Sequence, residues 1–213
     1  MKTRTKRLCY LIILLLLPTT LVFGQTEYYR AINSYFRVDP YEGSFSGFVE
    51  ALSSDTALHF KQELKQTDTT GYLLKGRYDL FNPFSINAVQ VDMVFYERER
   101  DTGKGIKERI FAYQLTAFFE DNPYNRKKVK KDYAKMQRVF DRNMNSNPQS
   151  LKGYQGLEDG ALNNFHFTNY IQPSVVISWQ TMKGSSQPRL ALSIVAYLAQ
   201  VQNRAYPAGH GAW

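Results

Sequence analysis

Apolar residues in this chain recur at two periods, 3.6 and 2, and the order in which they alternate outlines a fold. Phe45, Phe48, Val49 and Leu52 stand at i, i+3, i+4 and i+7 behind Ser44, a good N-cap, and predict a short helix ending near Asp55. Gly47 inside it costs about 1 kcal/mol relative to alanine. The period then changes to two. Leu58, Phe60 and Leu64 alternate with His59, Lys61 and Glu63, and after a polar turn at Thr67–Gly71 the alternation resumes at Tyr72, Leu74 and Tyr78. Asn82-Pro83 breaks the chain. Val89, Val91, Met93 and Phe95 define the next apolar face, and Phe111, Tyr113, Leu115 and Phe119 another. Between them, Glu97 to Glu108 is charged and holds Asp101-Thr102-Gly103-Lys104-Gly105, the expected polar tip of a long hairpin.

The helical period returns downstream. Asn122 caps a segment whose first position is Pro123, and Val129, Tyr133, Met136 and Phe140 follow at spacings of 4, 3 and 4. Asn147-Pro148 is the expected end, for a helix of about 22 residues. A glycine-rich connector (Gly153, Gly156, Gly160) leads to three more strands. These are Phe165 to Ile171, Val175 to Met182, and Leu190 to Val201, the last two separated by Gly184-Ser185-Ser186-Gln187-Pro188. Short helix, about four strands, long helix and three strands make an α+β fold: a mostly antiparallel sheet of about six to seven strands with both helices packed on it. The alternative is a β-barrel or sandwich with one external helix.

Residues 25–43 read as an irregular lead-in, 44–202 as one globular domain and 203–213, with Pro207, Gly209 and Gly211, as a loose tail. The first 24 residues read differently. Lys2, Arg4, Lys6 and Arg7 precede an apolar run from Leu8 to Leu17 that Pro18 interrupts, and Val22-Phe23-Gly24 offers a cleavage site before Gln25. That is the pattern of a cleaved signal peptide; a membrane anchor needs about 20 continuous apolar residues. Export to the bacterial periplasm or exterior is therefore expected, with no transmembrane segment after cleavage.

This reading alters both the charge and the thiol chemistry. The chain has 27 Lys+Arg against 19 Asp+Glu, and the leader takes four of the bases, leaving 23 against 19. The basicity that would point to nucleic acid is halved, and no nucleic-acid partner is expected. Cys9, the single cysteine, lies in the leader at the start of the apolar run rather than after it, which disfavours a lipid anchor. The mature chain then has no cysteine, and its core alone must hold the fold.

Candidate chemistry is sparse. His59 and His166 fall on polar strand faces and His210 in the tail, with no metal-ligand spacing, so neither metal nor cofactor is expected. Gly43-Ser44-Phe45-Ser46-Gly47 places phenylalanine where a nucleophile elbow needs serine. Gly103-Lys104-Gly105 lacks phosphate-loop spacing. Glu97, Glu99, Asp101 and Glu108 alternate with Arg98, Arg100 and Lys107, as in a solvated tip rather than a hydrolytic carboxylate pair.

One pattern stands out. At about 100° per residue, Lys127, Lys128, Lys131, Lys135, Arg138 and Arg142 fall on the side of the long helix opposite its apolar stripe, without an interleaved acid. A merely solubilising surface mixes both signs. The expectation is a non-catalytic binding or assembly module of the cell envelope, whose basic face meets an anionic envelope component or another envelope protein. The alternative is a small secreted hydrolase with a site assembled from residues distant in sequence.

Overall fold

The computed structural model describes residues 28–39, 45–66, 71–101, 107–142, 144–154, 156–166, 174–182 and 189–201. Its elements are α1 (28–33), α2 (Phe45–Ser54), β1 (Leu58–Gln66), β2 (Gly71–Tyr78), β3 (Gln90–Asp101), β4 (Lys107–Glu120), α3 (Pro123–Asp141), β5 (Asn145–Ser150), β6 (Leu157–His166), β7 (Val175–Met182) and β8 (Arg189–Val201). The strands form one antiparallel sheet in the order β1-β2-β3-β4-β8-β7-β6-β5. Among the described residues β1 and β5 stand at its edges and do not pair with each other, so the fold is an open α+β sheet and neither a barrel nor a sandwich. The described residues hold eight strands rather than six or seven.

The topology repeats itself. A helix followed by a four-strand meander occurs as α2-β1-β2-β3-β4 and again as α3-β5-β6-β7-β8. The two meanders join along their last strands, β4 and β8, which pair without interruption from Glu108↔Val201 to Glu120↔Arg189. No repeat is visible in the residues themselves.

All three helices lie on the same face. Phe48 of α2 packs edge-on against Phe95 and Tyr113, Phe36 just beyond α1 stacks on Tyr113 at 4.2 Å, and Phe140 of α3 meets Phe165. The alternation read along the strands explains this: Met93, Phe95, Tyr113, Leu115, Ile177, Leu192 and Ile194 are completely buried on that face. Each such side chain contributes about 1.5–3 kcal/mol by leaving water. On the other face Thr116 Oγ1 and Ser193 Oγ meet across the seam at 2.9 Å, and among the described residues no helix covers it.

Several expectations need correction. The supposed irregular lead-in contains α1, whose Tyr28 and Ile32 are buried one helical turn apart. Phe60, assigned to the inner face of β1, is 76% exposed. A bulge sets it and Lys61 opposite Gly76 alone, and Phe60 adopts φ 50°. Leu58 fills the space above Gly76, where an added Cβ would lie 2.6 Å from Leu58 Cγ. Val89 precedes β3 and is exposed. The charged stretch Glu97–Asp101 and Lys107–Glu108 belongs to the paired strands, leaving only 102–106 between them.

The long helix ends at Asp141, and Asn147-Pro148 lies inside β5 rather than at a helix terminus. Gly160 belongs to β6, not to a connector, and a Cβ there would stand 2.7 Å from the Trp179 carbonyl oxygen. The strand expected to start at Phe165 already starts at Leu157. The leader 1–24, the turn at 67–70, the hairpin tip at 102–106, residues 167–173, the connector at 184–188, His210 and the tail 203–213 fall outside the described residues.

Candidate anion-binding surface on helix α3

Helix α3 starts as its residues dictate. The Asn122 side chain accepts a hydrogen bond from Asn125 N at 2.8 Å and Pro123 opens the first turn. Val129, Tyr133, Met136 and Phe140 are buried against the sheet, as their spacing predicts. Asp132 is buried too: its carboxylate accepts from Ser85 N at 2.8 Å and from Ser85 Oγ at 2.7 Å. That pins the loop between β2 and β3 to the helix.

The cations of α3 fall into two classes. Those on the flank above β6 are neutralised. Arg126 makes a two-pronged ion pair with Asp121 and reaches Glu158 at 3.5 Å. The hydrogen bonds it donates to Asp121 push the Arg126 pKa higher still. Lys130 Nζ reaches Asp159 at 3.2 Å and stands 4.4 Å from the centre of the Trp179 ring. Burial pushes the Asp159 carboxyl up, but hydrogen bonds from Lys130 and Gly160 N and the charge of Lys152 outweigh it, and the net shift is down.

The six bases singled out by the sequence form the other class. Lys127, Arg138, Lys131, Arg142, Lys135 and Lys128 follow one another within about 100° of arc along about 22 Å of helix. Five of them are exposed and Lys128 is half-buried, 5.5 Å above the Tyr124 ring. Among the described residues none of the six makes an ion pair or a side-chain hydrogen bond. Tyr124, 66% exposed, stands at the head of this stripe.

At the other end of the stripe lies a cleft of about 360 Å³ between α1 and the end of α3. Tyr28, Arg30, Ala31 and Ser34 line it on one side, Val139, Phe140, Arg142 and Met144 on the other. Sequence reasoning missed it. Arg142 alone was a candidate, because only tertiary packing brings 28–34 beside 139–144.

The remaining candidates stay apart. His59 is exposed and 3.6 Å from Asp79, His166 closes β6 far from it in the sheet order, and among the described residues no three His, Cys, Asp or Glu form a metal-binding group. Among the described residues, one polar array assembled from distant positions joins Arg37, Asp55, Tyr78 and Tyr113. Arg37 Nε donates to Asp55 Oδ2 at 3.0 Å and Ala57 N to Oδ1 at 2.9 Å. Tyr78 lies beside Asp55 and Tyr113 beside Tyr78, but neither hydroxyl completes a well-formed hydrogen bond. Burial pushes Tyr78 up to about 12 and Tyr113 well above its ordinary value. Both hydroxyls are closed off from solvent, so this array orders the core and offers no surface to a substrate.

Among the described residues no helix is long and apolar enough to cross a membrane. Compared with known proteins, the chain matches no family model, no curated protein and no solved structure.

Proposed function

We propose that this chain is an exported, non-catalytic binding module of the bacterial cell envelope, and that it engages an anionic envelope component through the outward face of α3. The observation that supports this reading is the split among the cations of one helix. Arg126 and Lys130 are paired with Asp121, Glu158 and Asp159, whereas among the described residues Lys127, Lys128, Lys131, Lys135, Arg138 and Arg142 have no acid. Six like charges on one stripe repel one another, and an anionic surface relieves that repulsion. The exposed Tyr124 ring at the head of the stripe suits the boundary of a headgroup layer, where amphipathic aromatics settle.

Co-sedimentation of the protein with vesicles tests the reading. Vesicles containing acidic phospholipid bind it and purely zwitterionic vesicles do not, and binding weakens steeply with salt. Each base near an anionic surface is worth about 1 kcal/mol, so the triple change Lys127→Gln, Lys131→Gln and Lys135→Gln lowers binding roughly 100-fold. Equal binding to both vesicle types, or an unaffected triple variant, would refute the proposal. Binding to an acidic polysaccharide and not to acidic vesicles would keep the stripe but assign it to a glycan.

A further inference from the structure

We infer that the cleft between α1 and the end of α3 binds a single-chain anionic amphiphile, a carboxylate or phosphate monoester carrying one apolar chain. The proposal deepens the reading above, because Arg142 belongs to both the stripe and the cleft, yet it rests on other residues. The walls are apolar: the Tyr28 ring, Ala31, Val139, Phe140 and Met144. Two guanidiniums, Arg30 and Arg142, belong to the same lining from opposite sides. Both residues are exposed, and among the described residues neither side chain has an ion pair or hydrogen bond.

Each part of this lining narrows the ligand. Two uncompensated like charges at one cleft favour an anion, and arginine suits carboxylate and phosphate oxygens by its planar fork of donors. Ser34 spends its hydroxyl proton on the Ala31 carbonyl at 2.7 Å, and the two arginines are the charged donors of the lining. A bare inorganic anion would make no use of the aromatic and aliphatic walls, and a neutral lipid would leave the guanidiniums unpaired. The volume of about 360 Å³ lies at the small end of ligand sites, roughly 300–1,000 Å³, and suits one chain rather than a two-chain lipid.

Isothermal titration with decanoate and with decyl phosphate tests this, with inorganic phosphate and decanol as controls. Both amphiphilic anions saturate a single site, and the controls bind at least about 10-fold more weakly. The double variant Arg30→Gln and Arg142→Gln, at exposed positions, keeps the fold by circular dichroism and weakens decanoate binding by about 10-fold or more. Ala31→Phe, which fills the cleft, removes it. The triple stripe variant, Lys127→Gln, Lys131→Gln and Lys135→Gln, leaves decanoate binding unchanged while losing vesicle binding, so failure of the stripe and failure of the cleft are told apart. Phosphate binding as tightly as decyl phosphate, decanol as tightly as decanoate, or an absence of saturable decanoate binding would each overturn the inference.

Discussion

The two halves of the sheet share an element order and spend it differently. In the first, α2 is ten residues long and closes over aromatic rings: Phe95 meets Phe48, Phe111 and Tyr113, and Tyr113 meets Phe36 as well. One of its ion pairs, Arg37–Asp55, sits at the margin of that cluster. In the second half, α3 is nearly twice as long and its cross-sheet ring contact is Phe140 with Phe165. It presents a long charged face to the outside. The same topology thus serves once to concentrate a core and once to hold a helix up for display. A helix needs only one stripe of its surface for packing, and the longer it runs, the more unpacked surface it offers.

Stability measurements can break this contrast. Among the described residues, Phe95→Ala removes a ring with at least three aromatic neighbours and Phe140→Ala a ring with one. Truncation of a buried phenylalanine costs about 3–5 kcal/mol, and each ring pair adds about 0.5–1.5 kcal/mol. Urea unfolding is expected to put Phe95→Ala at the top of that range and Phe140→Ala about 1 kcal/mol lower; the reverse order would sink the distinction. Asp132→Ala comes next. It removes a buried carboxylate and with it the hydrogen bonds donated by the exposed Ser85, and costs about 1.5–3 kcal/mol by the same measurement.

Two glycines sharpen the comparison. Gly160→Ala in the second half pushes a methyl into the Trp179 carbonyl oxygen, which is backbone and cannot yield, at a cost of about 1–3 kcal/mol. Gly76→Ala in the first half meets the Leu58 side chain, which can turn aside, and the melting temperature is expected to fall less. In the opposite direction, Asn163 is completely buried in β6, and among the described residues neither its side-chain nitrogen nor its oxygen is hydrogen-bonded. Asn163→Val is expected to raise stability by about 1 kcal/mol, since it removes unpaired polar atoms from an apolar site.

The smallest effects appear at low pH. Burial pushes the Asp55 carboxyl up, but hydrogen bonds from Ala57 N and Arg37 outweigh it, so its folded pKa lies below the ordinary value. A lowered carboxyl stabilises the fold above its unfolded pKa, near 3.9, and loses that contribution as pH falls through the folded value. Arg37→Met is therefore expected to move the acid-unfolding midpoint upward. Lys130→Met acts on Asp159 with the same sign but less force, because that pair is more exposed. Equal shifts would show that burial does not separate the two pairs.

What the residues disclosed in advance follows from how each element is buried. The face of β7 and the apolar stripe of α3 were legible because each is buried on one side only, and burial on one side writes a period into the chain; β4 and β8 were legible because their large apolar residues still alternate. β5, Asn-Ser-Asn-Pro-Gln-Ser, is exposed at every position and has no period to read; its pairing with β6 alone makes it a strand. β6 interleaves Gly160, Asn163 and Asn164 with its apolar residues, and β1 changes phase at its bulge. The stripe on α3 was legible because it belongs to one helix. The cleft was not, since it exists only where α1 comes to lie beside residues more than a hundred positions away.

The two outermost strands have a consequence for the protein in a crowded compartment. An open antiparallel sheet invites another copy to add a strand at each end, and a long flat edge would grow into a fibre. Here one end is bent by the bulge at Phe60 and Lys61, and the other is a six-residue strand interrupted by Pro148. Each discourages a further partner in its own way. Among the described residues the sheet ends at these two strands, and the chain is expected to resist polymerising through them at high concentration.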